Sequence, residues 1–240
     1  MNLKAIFPCA FTVGNLVSGF LAIGAAVRGD LISSAAFICL GAILDFLDGS
    51  LARVLKGATR FGREFDSFAD FVTFGVAPMA MLYSFLLDSI GFWSWLLSGM
   101  FLVAGAFRLI RQNLEYERNK YNGYVGLPIT SSGIVLAGFV LISFEFSGVM
   151  ALPGMLTGLL LGLIVLMIST INFPRFRVFK RNYPLWLKFL LSISFALPLI
   201  IKPKIMIFAM IMLYIGMTLV SEMVRLSISK RAHQKSTYNK

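Results

Sequence analysis

The stretch LDFLDGSLARVLKGATRFGREFDSFAD, residues 44–70, places four aspartates at the borders of two apolar segments. Asp45 and Asp48 are three residues apart, and Asp66 and Asp70 are four apart. Residues at these spacings lie on one face of a helix. Two helices joined by a short connection therefore bring the four carboxylates together. Because like charges at a membrane edge repel, this arrangement requires compensating positive charge.

The composition around this stretch is that of an integral membrane protein. Of the 240 residues, 58% are hydrophobic and the mean hydropathy is +0.83. Apolar runs recur at close to the ~20 residues that a bilayer span needs. Each span has to be helical, because lipid offers the backbone no hydrogen bonds. The runs cover about residues 5–27, 31–48, 68–90, 92–110, 126–145, 148–171, 184–201 and 205–224.

The predicted fold is all-α, a polytopic membrane helix bundle of about eight transmembrane helices in a single domain. Residues 1–171 carry nearly all the unusual polar residues in or beside the spans and are predicted to form a six-helix catalytic core. Residues 172–228 are predicted to add two packing helices, and residues 229–240 to form a basic cytoplasmic tail.

The distribution of positive charge predicts the orientation in the membrane. The chain has 22 Lys and Arg against 11 Asp and Glu. With both termini in the cytoplasm, nineteen of the 22 basic residues fall on the cytoplasmic side, and Arg28, Lys202 and Lys204 do not. This asymmetry follows the positive-inside rule. Basic loops beside anionic lipid headgroups explain the net charge of +11 better than a nucleic-acid groove does.

The aspartates predict a site for two divalent cations, Mg²⁺ or Mn²⁺, which prefer oxygen ligands. Gly49 and Ala52 share a face near Asp48 and have little bulk, so a ligand can approach the helix closely. Arg53 offers a fork of donors suited to phosphate. Ordinary solvated charges at helix ends are the alternative, but the joint helical spacing favours a diphosphate-binding site.

The pattern D-x2-D-G-x2-A-R-x8-G-x3-D-x3-D over residues 45–70 resembles the signature of the CDP-alcohol phosphatidyltransferases. The resemblance implies that two divalent metals hold a CDP-linked lipid, that an alcohol attacks the lipid-side phosphorus and that CMP leaves. It implies a homodimer, and a metal cluster whose last aspartate is the general base. The residues that meet the pattern are Asp45, Asp48, Gly49, Ala52, Arg53, Gly62, Asp66 and Asp70.

Further segments resemble the bacterial and archaeal phosphatidylserine synthases within that family. They are FPCAFTVGNLVSG at 7–19, EFDSFADFVTFGVAP at 64–78, FRLIRQN at 107–113 and GLP at 126–128. The resemblance implies CDP-diacylglycerol and L-serine as substrates, membrane lipids as surroundings, and a prokaryotic cell (inner) membrane with the active site on the cytoplasmic side. Arg108, Arg111 and Asn113 are predicted to bind the serine carboxylate or the lipid phosphate.

Several alternatives stay open at this point. Either arginine can instead be an anchor that reaches lipid headgroups, and the acceptor can instead be glycerol 3-phosphate or inositol phosphate. Asn15, in mid-span, is predicted to contact the nucleotide or to make a helix-packing contact. Thr12 is interpreted as a packing residue. A cation transporter is disfavoured, because the acidic residues cluster at one membrane face.

Overall fold

The computed structural model describes residues 3–55, 59–85, 91–117, 124–145 and 153–173, together with Gly216. Seven α-helices, one π-helical segment and a pair of two-residue strands lie within these ranges. The predicted span at 184–201 and the tail at 229–240 lie outside the described residues, as does the span at 205–224 except for Gly216. The two-part division of the chain around residue 172 therefore stays a prediction.

The first two helices form an antiparallel pair with a tight connection. Helix α1 covers Leu3–Val27 and α2 covers Leu31–Val54. Asp30 caps α2, because its Oδ1 accepts a hydrogen bond of 3.1 Å from the backbone N–H of Ser33. Hydrogen bonds from the hydroxyl and backbone of Ser33 hold the pKa of the Asp30 carboxyl below its ordinary value. Gly29, with φ of 78°, supplies the left-handed turn.

The third predicted span contains a change of helix type. Helix α3 covers Arg60–Asp70, a π-helical segment covers Phe71–Val76, and α4 covers Ala77–Phe85. The helix begins eight residues earlier than the predicted start at 68, because Thr59 caps it through a 3.0 Å hydrogen bond from the backbone N–H of Gly62. π-helical turns occur frequently at functional sites, and this one begins directly after Asp70.

The remaining helices are α5 over Phe92–Glu117, α6 over Ile129–Glu145 and α7 over Pro153–Ile168. Two short strands were not foreseen from the sequence. Strand β1, Tyr124–Val125, pairs antiparallel with β2, Asn172–Phe173. The pairing joins the segment before α6 to the segment after α7.

Helix α1 packs against several neighbouring elements of the described bundle. It packs against α2, α3, the π-helical segment and α4, while α6 packs against α2 and the π-helical segment, and α5 packs against α7. The buried core is aliphatic and aromatic, with Phe74, Phe101 and Leu136 fully enclosed. Helix α1 is therefore in contact with both of the helices that carry the aspartates.

Glycines from three helices allow close approach to the π-helical segment. A Cβ on Gly19 of α1 would lie 2.9 Å from the Cα of Thr73, and one on Gly133 of α6 would lie 2.9 Å from the Cα of Phe74. A Cβ on Gly41 of α2 would also collide with the Thr73 side chain. Small residues at such contacts are typical of helices packed in a membrane.

The helices support integration into a membrane. Four of them are long and apolar enough to cross a bilayer: Cys9–Val27, Leu31–Ala52, Arg60–Phe85 and Phe92–Glu115. The apolar helices Ile129–Phe144 and Gly154–Ile168 are shorter. Large apolar side chains such as Phe20, Phe46 and Val103 point outward, as lipid-facing residues do. The chain is an integral membrane protein with an all-helical bundle, and the predicted total of eight spans stays a prediction.

The contact at Gly133 yields a test of this packing. Replacing Gly133 with Ala places a Cβ 2.8 Å from that of Phe74, so two helix backbones have to separate. Overpacking of this kind costs about 1–3 kcal/mol. We expect Gly133→Ala to lower the midpoint of thermal unfolding of the purified protein in detergent.

Gly158→Ala is the matched control, because a Cβ at Gly158 of α7 meets nothing within 4 Å. It should leave the midpoint unchanged or raise it slightly, since Ala is the better helix former. Equal midpoints for Gly133→Ala and the unmodified protein would contradict the close packing of α6 on the π-helical segment.

Candidate active site

Three of the four predicted aspartates converge in one cluster. Asp45 and Asp48 lie on α2 and Asp66 lies on α3, and each offers a carboxylate oxygen such that the three atoms lie within 4.8 Å of one another. Asp48 is 4% exposed. The spacings of three and four residues place these side chains on the inward faces of their helices. Three of the four carboxylates that the sequence predicts to come together are therefore close in space, and their role as metal ligands stays a prediction.

Asp70 lies next to this cluster, one helical turn after Asp66. Its side chain is 8% exposed and lies within electrostatic range of Asp45 and Asp66. The Nδ2 of Asn15 donates a 3.0 Å hydrogen bond to Asp70 Oδ1. Asp70 therefore has a neutral hydrogen-bond donor on one oxygen, in addition to its carboxylate neighbours.

The residues present fit a divalent cation. Three carboxylate oxygens point toward one another, and Asp66 Oδ1 is buried without a hydrogen-bond partner among the described residues. A buried polar atom without a partner is costly, and neighbouring buried carboxylates repel. Hard oxygen ligands of this kind are those that Mg²⁺ and Mn²⁺ prefer. The site therefore has the oxygen ligands and the uncompensated negative charge that a divalent cation needs.

Helix α1 contributes two donors to the aspartates. Asn15 contacts Asp70, and the Oγ1 of Thr12 donates a 2.9 Å hydrogen bond to Asp48 Oδ2. The sequence-based interpretation of Thr12 as a packing residue missed this contact. The signal that would have found it is the spacing of Thr12 and Asn15, which lie three residues apart on one face, as Asp45 and Asp48 do.

Arg108 is the basic residue of α5 that faces the aspartates. It is 3% exposed and interacts electrostatically with Asp45 and Asp70. Thr130, in the first turn of α6, makes a side-chain hydrogen bond to Asp45, and sequence reasoning missed it as well. A buried guanidinium that interacts with Asp45 and Asp70 places an anion-binding group next to the candidate cation site.

Arg111 has a different environment, although it lies only one turn from Arg108. Its Nη1 donates to the carbonyl of Ile168 at 3.1 Å, and its Nη2 donates to the carbonyls of Met167 and Ser169 at 3.2 and 3.1 Å. These carbonyls are at the C-terminal end of α7, where helices have unpaired acceptors. The guanidinium therefore caps α7, and the predicted role of Arg111 in binding serine stays a prediction.

Asn113 connects α5 to α3 at the edge of the cluster. Its Nδ2 donates to Ser67 Oγ at 3.0 Å and to Glu64 Oε2 at 3.2 Å. Ser67 directly follows Asp66 in the chain. Asn113 therefore contacts the residue that follows Asp66, one of the clustered aspartates. Its predicted role in binding serine or phosphate stays a prediction.

The small residues of the motif lie around the cluster in two different settings. A Cβ at Gly49 would meet nothing within 4 Å, so the face beside Asp48 is open. Ala52, further along α2, is half-buried. Gly62 belongs to the capped first turn of α3, where a Cβ would lie 3.1 Å from Thr59 Oγ1. The side chain of Arg53 lies outside the described residues.

One protein family has a sequence model that matches most of this chain. The family model described as CDP-alcohol phosphatidyltransferase matches residues 5–171. That range contains all four aspartates, Asn15 and the arginines of α5, and it ends where β2 begins.

Three similar curated proteins carry the same name. The chain is 38% identical over 170 residues to the CDP-diacylglycerol–serine O-phosphatidyltransferase of Bacillus subtilis, covering 71% of this chain and 90% of the relative. The Helicobacter pylori protein of the same name is 33% identical over 205 residues, covering 83% and 85%. The Methanocaldococcus jannaschii protein is 34% identical over 167 residues, covering 69% and 72%.

The capping role of Arg111 can be tested with a conservative change. Arg111→Lys retains the charge, but a single ammonium cannot hold three carbonyls as the planar guanidinium does. Hydrogen bonds to charged groups contribute about 1.5–3 kcal/mol each. We expect the free energy of unfolding in detergent to fall by about that amount, and the thermal midpoint to fall with it.

Arg28→Lys provides the control, because Arg28 donates from Nε to a single exposed carbonyl, that of Gly24, at 3.1 Å. This substitution should change stability by no more than about 0.5 kcal/mol. If Arg111→Lys keeps full stability but raises the serine KM much more than the KM for CDP-diacylglycerol, Arg111 belongs to the acceptor pocket.

Proposed function

This chain belongs to the CDP-alcohol phosphatidyltransferase family, and we propose that it transfers the phosphatidyl group from CDP-diacylglycerol to the hydroxyl of L-serine, giving phosphatidylserine and CMP. The observation that carries the chemistry is the convergence of Asp45, Asp48 and Asp66 beside the buried Arg108. The choice of serine rests on the name that the relatives from Bacillus subtilis, Helicobacter pylori and Methanocaldococcus jannaschii share.

Asp45, Asp48, Asp66 and Asp70 are assigned as the ligands of two divalent cations, Mg²⁺ or Mn²⁺. The support for this assignment is the cluster of carboxylate oxygens and the unpartnered Oδ1 of Asp66. Bound cations supply positive charge that offsets the diphosphate of the substrate. The aspartates in turn fix where that charge lies, because oxygens of Asp45 and Asp48 on α2 and of Asp66 on α3 lie within 4.8 Å of one another.

Asp70 is assigned as the general base for the serine hydroxyl. As the oxygen attacks the lipid-side phosphorus, the bond between that phosphorus and the oxygen of CMP breaks, and the hydroxyl proton passes to the carboxylate. Asn15 donates a hydrogen bond to Oδ1 of Asp70 and so holds the carboxylate in position for this transfer. Burial of Asp70 keeps bulk water from competing with the acceptor alcohol.

The CDP-lipid is assigned to the side of the cluster formed by α1, α2 and the start of α3. The open space at Gly49 supports a close approach of the nucleotide to α2. Asn15, Ala52, Arg53 and Gly62 complete this assignment. Arg108 is assigned to the phosphate or to the serine carboxylate, because its guanidinium interacts with one aspartate of each pair, Asp45 and Asp70.

The site is assigned to the cytoplasmic side of a prokaryotic inner membrane, with both termini in the cytoplasm. The asymmetry of Lys and Arg across the predicted loops supports this orientation. A site at the membrane edge suits a substrate that has a water-soluble nucleotide and two acyl chains. Assembly as a homodimer remains part of this proposal through the family resemblance.

The acceptor can be tested with the purified protein in detergent. With CDP-diacylglycerol and Mn²⁺, CMP release should depend on L-serine and should be far slower with ethanolamine, which lacks the carboxylate. If glycerol 3-phosphate or inositol phosphate supports faster release than serine, the enzyme is a different member of the family.

The metal assignment is tested by removing one ligand charge at a time. Asp45→Asn, Asp48→Asn and Asp66→Asn should each reduce CMP release below detection, because an amide is a poorer ligand for a hard cation than a carboxylate. EDTA should abolish activity, and added Mg²⁺ or Mn²⁺ should restore it. Activity that resists a chelator would refute the metal assignment.

Two further variants separate the roles within this set. Asp30→Asn changes an aspartate at the opposite end of α2, outside the cluster, and should retain activity because Asn also caps helices well. Asp70→Asn should still bind CDP-diacylglycerol but turn over ~10²–10⁴-fold more slowly, the usual contribution of a general base. Near-normal turnover would remove Asp70 from that role.

A further inference from the structure

We propose that α1 acts as an outer layer of the metal site, in which Thr12 and Asn15 orient the carboxylates of Asp48 and Asp70 and thereby set the affinity for the cations. The inference rests on the assignment of these aspartates as metal ligands. It makes Thr12 a positioning residue, since its hydroxyl acts through Asp48.

Two side chains of α1 donate hydrogen bonds to aspartates on two different helices. Thr12 Oγ1 lies 2.9 Å from Asp48 Oδ2 on α2, and Asn15 Nδ2 lies 3.0 Å from Asp70 Oδ1 on α3. Both donors are enclosed, with Thr12 4% and Asn15 0% exposed. One turn of α1 therefore contacts one aspartate from each pair, and it engages a single oxygen of each.

This arrangement has a consequence for cation binding. A carboxylate whose one oxygen is held by a fixed donor presents the other oxygen in a defined direction. Outer partners of this kind orient metal ligands, and their loss typically costs ~10–100-fold in metal affinity or activity. The donors on α1 also reduce the repulsion among the carboxylates before a cation arrives.

The orientation of the Asn15 amide is energetically unfavourable for its own oxygen. Its Oδ1 is buried and has no hydrogen-bond partner among the described residues. The backbone of Asn15 is fixed as well, because Thr73 Oγ1 of the π-helical segment donates to the Asn15 carbonyl at 2.9 Å. Donation to Asp70 gives a physical reason for this amide to be buried although its own oxygen has no partner among the described residues.

Thr12→Val tests the proposal, because valine has nearly the same shape as threonine but no hydroxyl. We expect the Mn²⁺ concentration that half-saturates the purified protein, measured by electron paramagnetic resonance, to rise about tenfold or more. Thr12→Ser, which restores the hydroxyl, should bring it back to near the unmodified value. Thr12→Ala removes the same bond if Thr12→Val does not fold.

Ser18 offers a matched control on α1, one turn after Asn15. Its Oγ donates a 2.7 Å hydrogen bond to the Phe37 carbonyl of α2, and its side chain is likewise buried. Ser18→Ala should therefore lose an interhelical hydrogen bond and leave Mn²⁺ affinity unchanged. An equal shift for Ser18→Ala and Thr12→Val would overturn the proposal, because general packing would then explain both.

The outcomes separate this inference from the metal assignment on which it rests. If the unmodified protein does not bind Mn²⁺, the assignment of the aspartates fails. If it binds Mn²⁺ and Thr12→Val binds it equally well while remaining folded, the metal site stands and the role of α1 is wrong.

Discussion

The close placement of four carboxylates inside a membrane bundle is the constraint to which the surrounding structure responds. An uncompensated charge in such surroundings costs several kcal/mol. Each neighbouring helix supplies a partner: α1 donates through Thr12 and Asn15, α5 brings Arg108, and α6 brings Thr130. Among the described side chains, the one guanidinium that interacts with these aspartates is that of Arg108, and it interacts with Asp45 and Asp70, so these partners do not balance the charge. The remaining negative charge is what makes the site suited to divalent cations.

Bringing these partners within hydrogen-bonding distance requires that the helix backbones approach closely. Gly19, Gly41 and Gly133 leave no side chain between their helices and the segment at Thr73 and Phe74. In lipid there is no hydrophobic drive between helices, so such close van der Waals packing carries much of the stability. These glycines lie around the π-helical segment, which begins at the residue after Asp70.

Much of this arrangement could be predicted from the sequence, because it depends on local periodicity. The spacing within each aspartate pair indicated a shared helix face, and the apolar runs indicated the helices. The π-helical segment and the strand pair β1–β2 could not be predicted, because they depend on contacts between distant parts of the chain. The same holds for Thr12 and Thr130, whose hydroxyls have a role only because other helices place Asp48 and Asp45 beside them.

The two arginines of α5 show why spacing alone cannot assign roles. Arg108 and Arg111 lie one turn apart, yet the first faces the aspartates and the second caps α7. Gly126 fits against this cap: its φ is 80°, and a Cβ there would lie 2.5 Å from the carbonyl oxygen of Met167 and also collide with Arg111. Four residues later, Thr130 reaches Asp45. The segment 126–130 therefore runs from the arginine that fixes α7 to the aspartate cluster. A glycine is required at its start because φ is positive there and a Cβ would collide with the backbone carbonyl of Met167.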